Sequence, residues 1–391
     1  MLEDPVLILF CGGMGGSAVE DSLGDALREC ALDTLAEARS TGAFAESILV
    51  LDAPSSAYFQ GRLPAGVLID VDTPGASFHF GKRLSEVVKR YELMRPVYVG
   101  CGLPLIKADE LAAVARGLRT AERAVVSNNF FSADLLGFVP GSVVSEIEFP
   151  DNDRILPRLL NQKAGLENRA LPRTMANQFD VDTPGDLAVL AYAGGGGPNL
   201  TRYIEQHPPD IEHLVRASRL FTDRDAEVLV AGRVGSQVWQ YLEMETACRI
   251  RMLSEERGLQ AAGRDSNGEA RTLLGFHLQA VGPQRFFAEL GEMAHAAFID
   301  TRPIFAHMGL DPSRPDRFLS DALQPEAISD PWLRDFTAAA REAPIPVVLG
   351  GSSIVTSGVQ LLSEAAWRER DRLGADYQAY GRAATPWKPG T

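Results

Sequence analysis

No apolar run in the sequence approaches the ~18 to 20 residues needed to span a bilayer, which argues against a membrane partner. The start, "MLEDPVLILFCGG", has acids where a secretion signal is basic, and its short apolar run leads into glycines. It reads as the first β-strand of a cytoplasmic protein. Cysteine is scarce: Cys11, Cys30, Cys101 and Cys248 are far apart and show no CxxC or Cys/His metal spacing, which suits reduced thiols and speaks against a structural zinc. Basic charge is short as well. Lys and Arg number 38 against 52 Asp and Glu, a net charge of −14 that argues against a nucleic-acid partner, which needs a basic footprint. There is no GK[ST] of a Walker A loop, no GxGxxG fingerprint and no GxSxG elbow. His79, His277, His295 and His307 form no catalytic or metal spacing.

What is present is alternation. Residues 1–198 pass through the apolar runs "PVLILFCGG", "SILVLDAP", "GVLIDVD", "PVYVGCGLP" and "RAVVSNN", with helical spacing in "DALRECALDTLAEARSTG" and "KADELAAVARGLRTAE" between them. Strand, helix, strand in succession predicts an α/β class, a mostly parallel sheet flanked by helices of Rossmann-like kind. "AYAGGGGPNL" reads as a linker, placing a boundary near residue 200. Residues 199–391 repeat the alternation with "AEVLVAGRV", "CRIRMLSEERG", "HAAFIDTRP" and "IPVVLGGSS", a second, smaller α/β domain ending in a proline-rich tail expected to be flexible.

Chemistry concentrates in two places. Straight after the first run, Gly12, Gly13, Met14, Gly15, Gly16 and Ser17 form a loop in which glycine lets the backbone approach a ligand and present successive N–H groups to phosphates. A tight turn with no ligand is the alternative. The hexapeptide "DVDTPG" occurs twice, at 70–75 and 180–185, each copy after an apolar run and so expected at a strand's carboxyl end, where open α/β sheets hold ligands.

The order of glycine loop, "RPVYVGCGLPLIKADELAAV" and "FDVDTPGDLAVL" resembles the nucleotidyltransferases of the GT-A type, the molybdenum-cofactor guanylyltransferase-like and phospholactate guanylyltransferase-like enzymes, over residues 5 to 193. The resemblance implies metal-dependent transfer of a nucleotidyl group from a nucleoside triphosphate to a small phosphorylated or acidic acceptor. It implies that residues Gly12 to Ser17 hold the nucleotide and that Asp182 binds Mg²⁺ or Mn²⁺, a hard cation that takes one or two protein carboxylates. Asp182-Thr183-Pro184 also suits a plain helix-capping turn. Two departures stand out. Where the family has basic residues after the loop, this chain has Glu20, Asp21 and Asp25, and where the family has a metal-binding Asp before Pro-Leu, it has Gly102.

Asp72, in the first hexapeptide, is a stand-in candidate for that missing ligand. Lys82 and Arg83 at a helix start suit phosphate, or plain solvated charge. Asn128 and Asn129 suit contacts to the acceptor, or a turn. In the second half Arg233, Arg302 and Gly350-Gly351-Ser352-Ser353 suit an anion, or an internal ion-pair network with a tight turn. A non-catalytic nucleotide or nucleotide-sugar binding protein and a glycosyltransferase using "DVD" as its DxD motif stay open as other functions. Association with copies of itself stays open too.

Overall fold

The structure is a computed structural model that describes residues 2–379 except 74 and 76, so the C-terminal tail lies outside the described residues. Seven strands form the first sheet: β1 (Leu2–Cys11), β2 (Glu46–Leu51), β3 (Val67–Val71), β4 (Leu93–Gly100), β5 (Ala124–Ser127), β6 (Leu135–Val139) and β7 (Glu167–Ala170). Their order is β3-β2-β1-β4-β6-β5-β7, and every pairing is parallel except the two made by β6. The side-chain period of two explains why β1 reads as an unbroken apolar run. Leu7, Leu9 and Cys11 pack on one face against the helices Ala18–Ser40 and Ala108–Arg119, while Val6 and Ile8 pack on the other against the helix Phe80–Arg90. A strand covered on both faces leaves no polar alternation to see.

The second sheet holds β8 (Glu227–Gly232), β9 (Arg249–Ser254), β10 (Ala296–Asp300) and β11 (Val347–Gly350) in the order β11-β10-β8-β9, all parallel. The expected α/β class, a mostly parallel helix-flanked sheet with a second, smaller α/β unit, is the one the chain adopts. Its two sheets share an apolar cluster. Leu23, Leu27, Leu187 and Val189 from the first half meet Val228, Val230, Phe298, Val348 and Leu362 from the second.

One expectation is overturned. The second "DVDTPG" does not follow a strand: Met175–Gln178 is a helical turn capped by a Thr174/Asn177 box, and residues 179–183 are loop before the helix Pro184–Ala193. The polar capping pair, Thr174 and Asn177, satisfies the turn's free N–H groups and outweighs the short apolar run.

Candidate functional site

The glycine loop leaves β1 at its carboxyl end and opens the helix Ala18–Ser40 through Ser17, whose hydroxyl accepts from the Glu20 amide. Gly13 and Gly16 hold φ of 74° and 110°, values that a side chain resists. Neighbouring carboxylates already test the loop's affinity for anionic oxygen. Asp52, at the end of β2, accepts from the Gly13 amide and the Ser55 amide, each at 2.8 Å, and Asp21 accepts from the Gly16 amide at 3.4 Å. Burial pushes the Asp52 carboxyl up, but the hydrogen bonds from Ser55 and Gly13 carry it net below its ordinary value. Met14, Gly15 and Ser17 keep backbone amides that donate to nothing among the described residues.

A second set of groups converges at the carboxyl end of β4. The Gly100 amide donates to the Asp134 carbonyl because antiparallel β6 starts where β4 ends. The Val181 amide donates to the Gly102 carbonyl at 2.8 Å, which brings the second hexapeptide alongside. A Cβ on Gly102 would stand 2.2 Å from the Asp180 carboxylate, so that carboxylate lies directly against the position where the resemblance expects an Asp. Asp134, Asp153 and Asp180 are half-buried, and Asp182 is exposed. Burial, then the charges of Asp182 and Asp134, push the Asp180 carboxyl well up, and burial with Asp153 and Asp182 does the same to Asp134. Burial raises Asp153 as well, against a 2.6 Å hydrogen bond from the Tyr98 hydroxyl. Arg154 is the local counter-charge, 3.9 Å from Asp182 and donating to the Gln260 side chain of the second half.

Asp186 sits one turn on. Its carboxylate accepts from the Asp182 and Thr183 amides and the Thr183 hydroxyl on one oxygen, and from the Ser353 hydroxyl after β11 on the other. Burial, opposed by the Ser353 bond and helped by the Asp182 charge, brings it up to about 7.

The first hexapeptide is placed elsewhere. Asp70 and Asp72 are both gripped by Arg83, at 2.8 and 2.6 Å, and Arg90 reaches Asp70. β3 is the sheet edge, three strands from β4, or about 14 Å at the usual ~4.8 Å spacing, so Asp72 and Asp182 lie too far apart for one ion. Lys82 is exposed beside them. Asn128 is buried, its amide group spent on the Asn177 carbonyl and the Leu135 amide, while Asn129 accepts from the Phe131 amide. In the second half Arg233 pairs with buried Asp300, and Arg302 forks onto Asp321. Gly12 to Ser17 and Asp182 therefore stand at neighbouring strand ends; Asp72, Lys82 and Arg83 form a separate group at the sheet edge. Asp180, Asp134, Asp153, Arg154 and Asp52 had no place among the expected site residues. Only Asp180 carried a signal, its place in the repeated hexapeptide.

Among the described residues, no group of three or more His, Cys, Asp or Glu side chains is set to hold a metal ion. The donor set still fits a hard cation of the magnesium kind, which takes one or two carboxylates and fills its remaining positions with water and phosphate oxygens. Asp180 and Asp182 are such a pair, and no hydrogen bond from a described residue reaches the Asp180 carboxylate.

No protein-family model matches the sequence, and no curated protein matches it. Solved structures are similar over about half of the chain, in its N-terminal region. A Desulfovibrio desulfuricans protein described as a nucleotide-diphospho-sugar transferase shares 18% identity over 52% of this chain and 96% of that one, with a TM-score of 0.40. A nucleotidyl transferase from Methanothermobacter shares 9% over 52% and 99%, with a TM-score of 0.38. A cytidylyltransferase from Leptospira borgpetersenii shares 13% over 53% and 95%, with a TM-score of 0.37.

Proposed function

We propose that the chain is a metal-dependent nucleotidyltransferase, transferring a nucleotidyl group from a nucleoside triphosphate to a small phosphorylated or acidic acceptor. The observation that carries this reading is the Asp180 carboxylate lying against Gly102, which returns in space the carboxylate missing from the β4 end. Asp180 and Asp182 would hold Mg²⁺ or Mn²⁺, which would supply neutralisation of phosphate charge. The free amides of Met14, Gly15 and Ser17, at the start of a 23-residue helix, orient the phosphates. In the reaction an acceptor oxygen forms a bond to the α-phosphorus, the bond from that phosphorus to the bridging oxygen breaks, and pyrophosphate leaves. Arg154 balances the crowded carboxylates and, through Gln260, ties them to the second half.

For a glycosyltransferase, the first DVD finds less support because Arg83 occupies Asp70 and Asp72, and the second, Asp180 and Asp182, would reveal itself by UDP release from a nucleotide-sugar. A pyrophosphate-release screen over the common triphosphates, with Mg²⁺ or Mn²⁺ and pools of phosphorylated and acidic acceptors, tests the reading. Turnover lost by at least about 100-fold in Asp180→Asn is the expected result. Nucleotide stabilisation of the fold without metal dependence or turnover would instead leave a binding protein.

A further inference from the structure

The glycine loop is short of positive charge on its own half. After Ser17 the first basic residue is Arg28, and its guanidinium is committed to Asp25 at 2.6 Å and to the Ser55 hydroxyl at 3.2 Å. Between them lie Glu20, Asp21 and Asp25, so a polyphosphate reaching the loop meets amides and repelling carboxylates. The compensating charge comes from the far end of the chain. The helix Arg314–Asp321 packs against the helix Ala18–Ser40, and Arg314 donates through Nη1 to the Gly13 carbonyl at 2.8 Å, with Met14 Sδ at 3.6 Å and Glu20 at 3.7 Å.

We propose that Arg314, delivered by the second half, is a phosphate-binding residue of the nucleotide site whose floor is the glycine loop of the first half, an inference that rests on the nucleotidyltransferase reading above. Its side chain is 44% exposed, and its Nε and Nη2 donate to nothing among the described residues. A guanidinium anchored by one nitrogen with the rest of its fork open is suited to bidentate phosphate. Arg317, one turn along, strengthens the case. Among the described residues its guanidinium is paired only with the Pro312 carbonyl and, at 3.7 Å, with the fully exposed Asp311. Burial, with the charges of Arg302 and Arg314 opposed by those of Asp311 and Asp321, draws its guanidinium below the ordinary value, so the first turn of this helix carries two guanidinium groups in a chain with a net charge of −14.

Calorimetric titration of the full chain with inorganic tripolyphosphate, with and without Mg²⁺, tests the assignment. Arg314→Ala is expected to weaken binding by roughly 10- to 100-fold with unchanged thermal unfolding, and Arg314→Lys to recover part of it. Arg285→Ala, at an exposed position of the helix Pro283–Met293, controls for loss of charge anywhere on the protein and is expected to bind as the wild type does. Wild-type protein without saturable binding, an Arg314→Ala variant within two-fold of it, or an equal loss in Arg285→Ala would each overturn the assignment. The outcome separates from the wider reading. Arg314-dependent tripolyphosphate binding with no pyrophosphate release from any triphosphate keeps the phosphate site and sinks the transferase; triphosphate turnover that Arg314→Ala leaves intact does the reverse.

Discussion

Gly102→Ala adds a single methyl group at the point where the site is tightest. The new Cβ would stand 2.2 Å from Asp180 Oδ1 and 3.1 Å from the Val181 carbonyl, against a floor near 3.0 Å for real Cβ contacts. The backbone cannot yield easily, because the Val181 amide is bonded to the Gly102 carbonyl at 2.8 Å. The Asp180 carboxylate must therefore rotate away. Turning toward Asp134 or Asp182 brings like charges together, at about 4 kcal/mol for a 4 Å separation in a medium of effective dielectric ~20. Turning toward water costs only mild overpacking, about 1 kcal/mol. The expected stability loss in urea is thus small, while the carboxylate is withdrawn from its pair.

Mn²⁺ affinity, read by calorimetry or electron paramagnetic resonance with a triphosphate present, is expected to fall by about 10- to 100-fold, the range seen when a ligand loses its positioning. Asp180→Asn should lose at least as much. At saturating Mn²⁺ of ~100 Kd the wild type gains about 2.7 kcal/mol against unfolding, and a 10- to 100-fold weaker variant should forfeit about 1.3 to 2.3 kcal/mol of that. The sharper arm is exchange. Gly102→Asp alone meets the same clash, whereas Gly102→Asp combined with Asp180→Gly moves the carboxylate across the contact and is expected to restore Mn²⁺ binding to within ~10-fold of wild type. If Gly102→Ala and Asp180→Asn both bind Mn²⁺ within two-fold of wild type, Asp180 is not a ligand and the proposed function loses its supporting observation.

Asp186 gives a pH signature. Its folded pKa of about 7 lies above the ordinary ~3.9, so between those values the folded chain holds more protons than the unfolded one, and stability falls as pH rises through that window, by at most about 4 kcal/mol from this group. Asp186→Asn mimics the protonated acid, its oxygen serving the Asp182 and Thr183 donors and its amide facing Ser353, so urea melts from pH 4.5 to 8 should show a flatter slope; an unaltered slope rejects the assignment. Arg83→Ala strips the 3%-exposed Asp70 of its buried partner, leaving mainly Arg90, and is expected to cost about 3 kcal/mol in denaturant melts, whereas Asp72→Asn should leave Mn²⁺ affinity within two-fold of wild type. A chain cut after residue 198 bares Leu187 and Val189 by removing the helix Ser357–Ala379 and the β8 and β10 residues packed on the same cluster, so it should bind an apolar dye and melt without cooperativity; a sharp, dye-free melt would show that the first half folds alone.

The strands that position the site are legible because they are buried on both faces: "PVLILF", "SILVL", "AEVLVAG" and "AAFID" are apolar at nearly every step, and each falls in a strand. β7 escapes the same reading for the opposite reason. Its sequence, Glu167-Asn168-Arg169-Ala170, lies on the sheet edge and is largely exposed, so neither apolarity nor alternation marks it. Four glycines before Pro198 read as a linker, and two of them also serve contact. A Cβ on Gly195 would meet Leu105 at 2.7 Å, and one on Gly197 would meet Asp33 at 2.3 Å, where that carboxylate accepts from the Asn199 and Leu200 amides. Composition reports that glycine is present, and the neighbour that requires it lies far along the chain. The candidate site divides in the same way. The loop from Gly12 to Ser17 and Asp182 are visible as local patterns. Asp134, Asp153 and Arg154 carry no pattern, because the antiparallel turn into β6 and a loop after it bring them to β4 from outside any motif.

Acidity at the glycine loop and the missing carboxylate at Gly102 look, along the sequence, like two losses from one half. In three dimensions each has a partner supplied from elsewhere. Asp180 crosses from the hexapeptide to the β4 end, and Arg314 crosses from the second half to the Gly13 carbonyl, 301 residues away in sequence. The second crossing depends on the contact between the halves, where Ser353 also holds Asp186 from after β11 and the shared apolar cluster packs the helix Pro184–Ala193 against the helix Ser357–Ala379. A rigid seam of that kind positions charge that a flexible tether could not hold. It also accounts for the raised carboxyls. Burial is the largest cause of the rise at Asp134, Asp180 and Asp186, and the charge of Asp182 adds to it at all three.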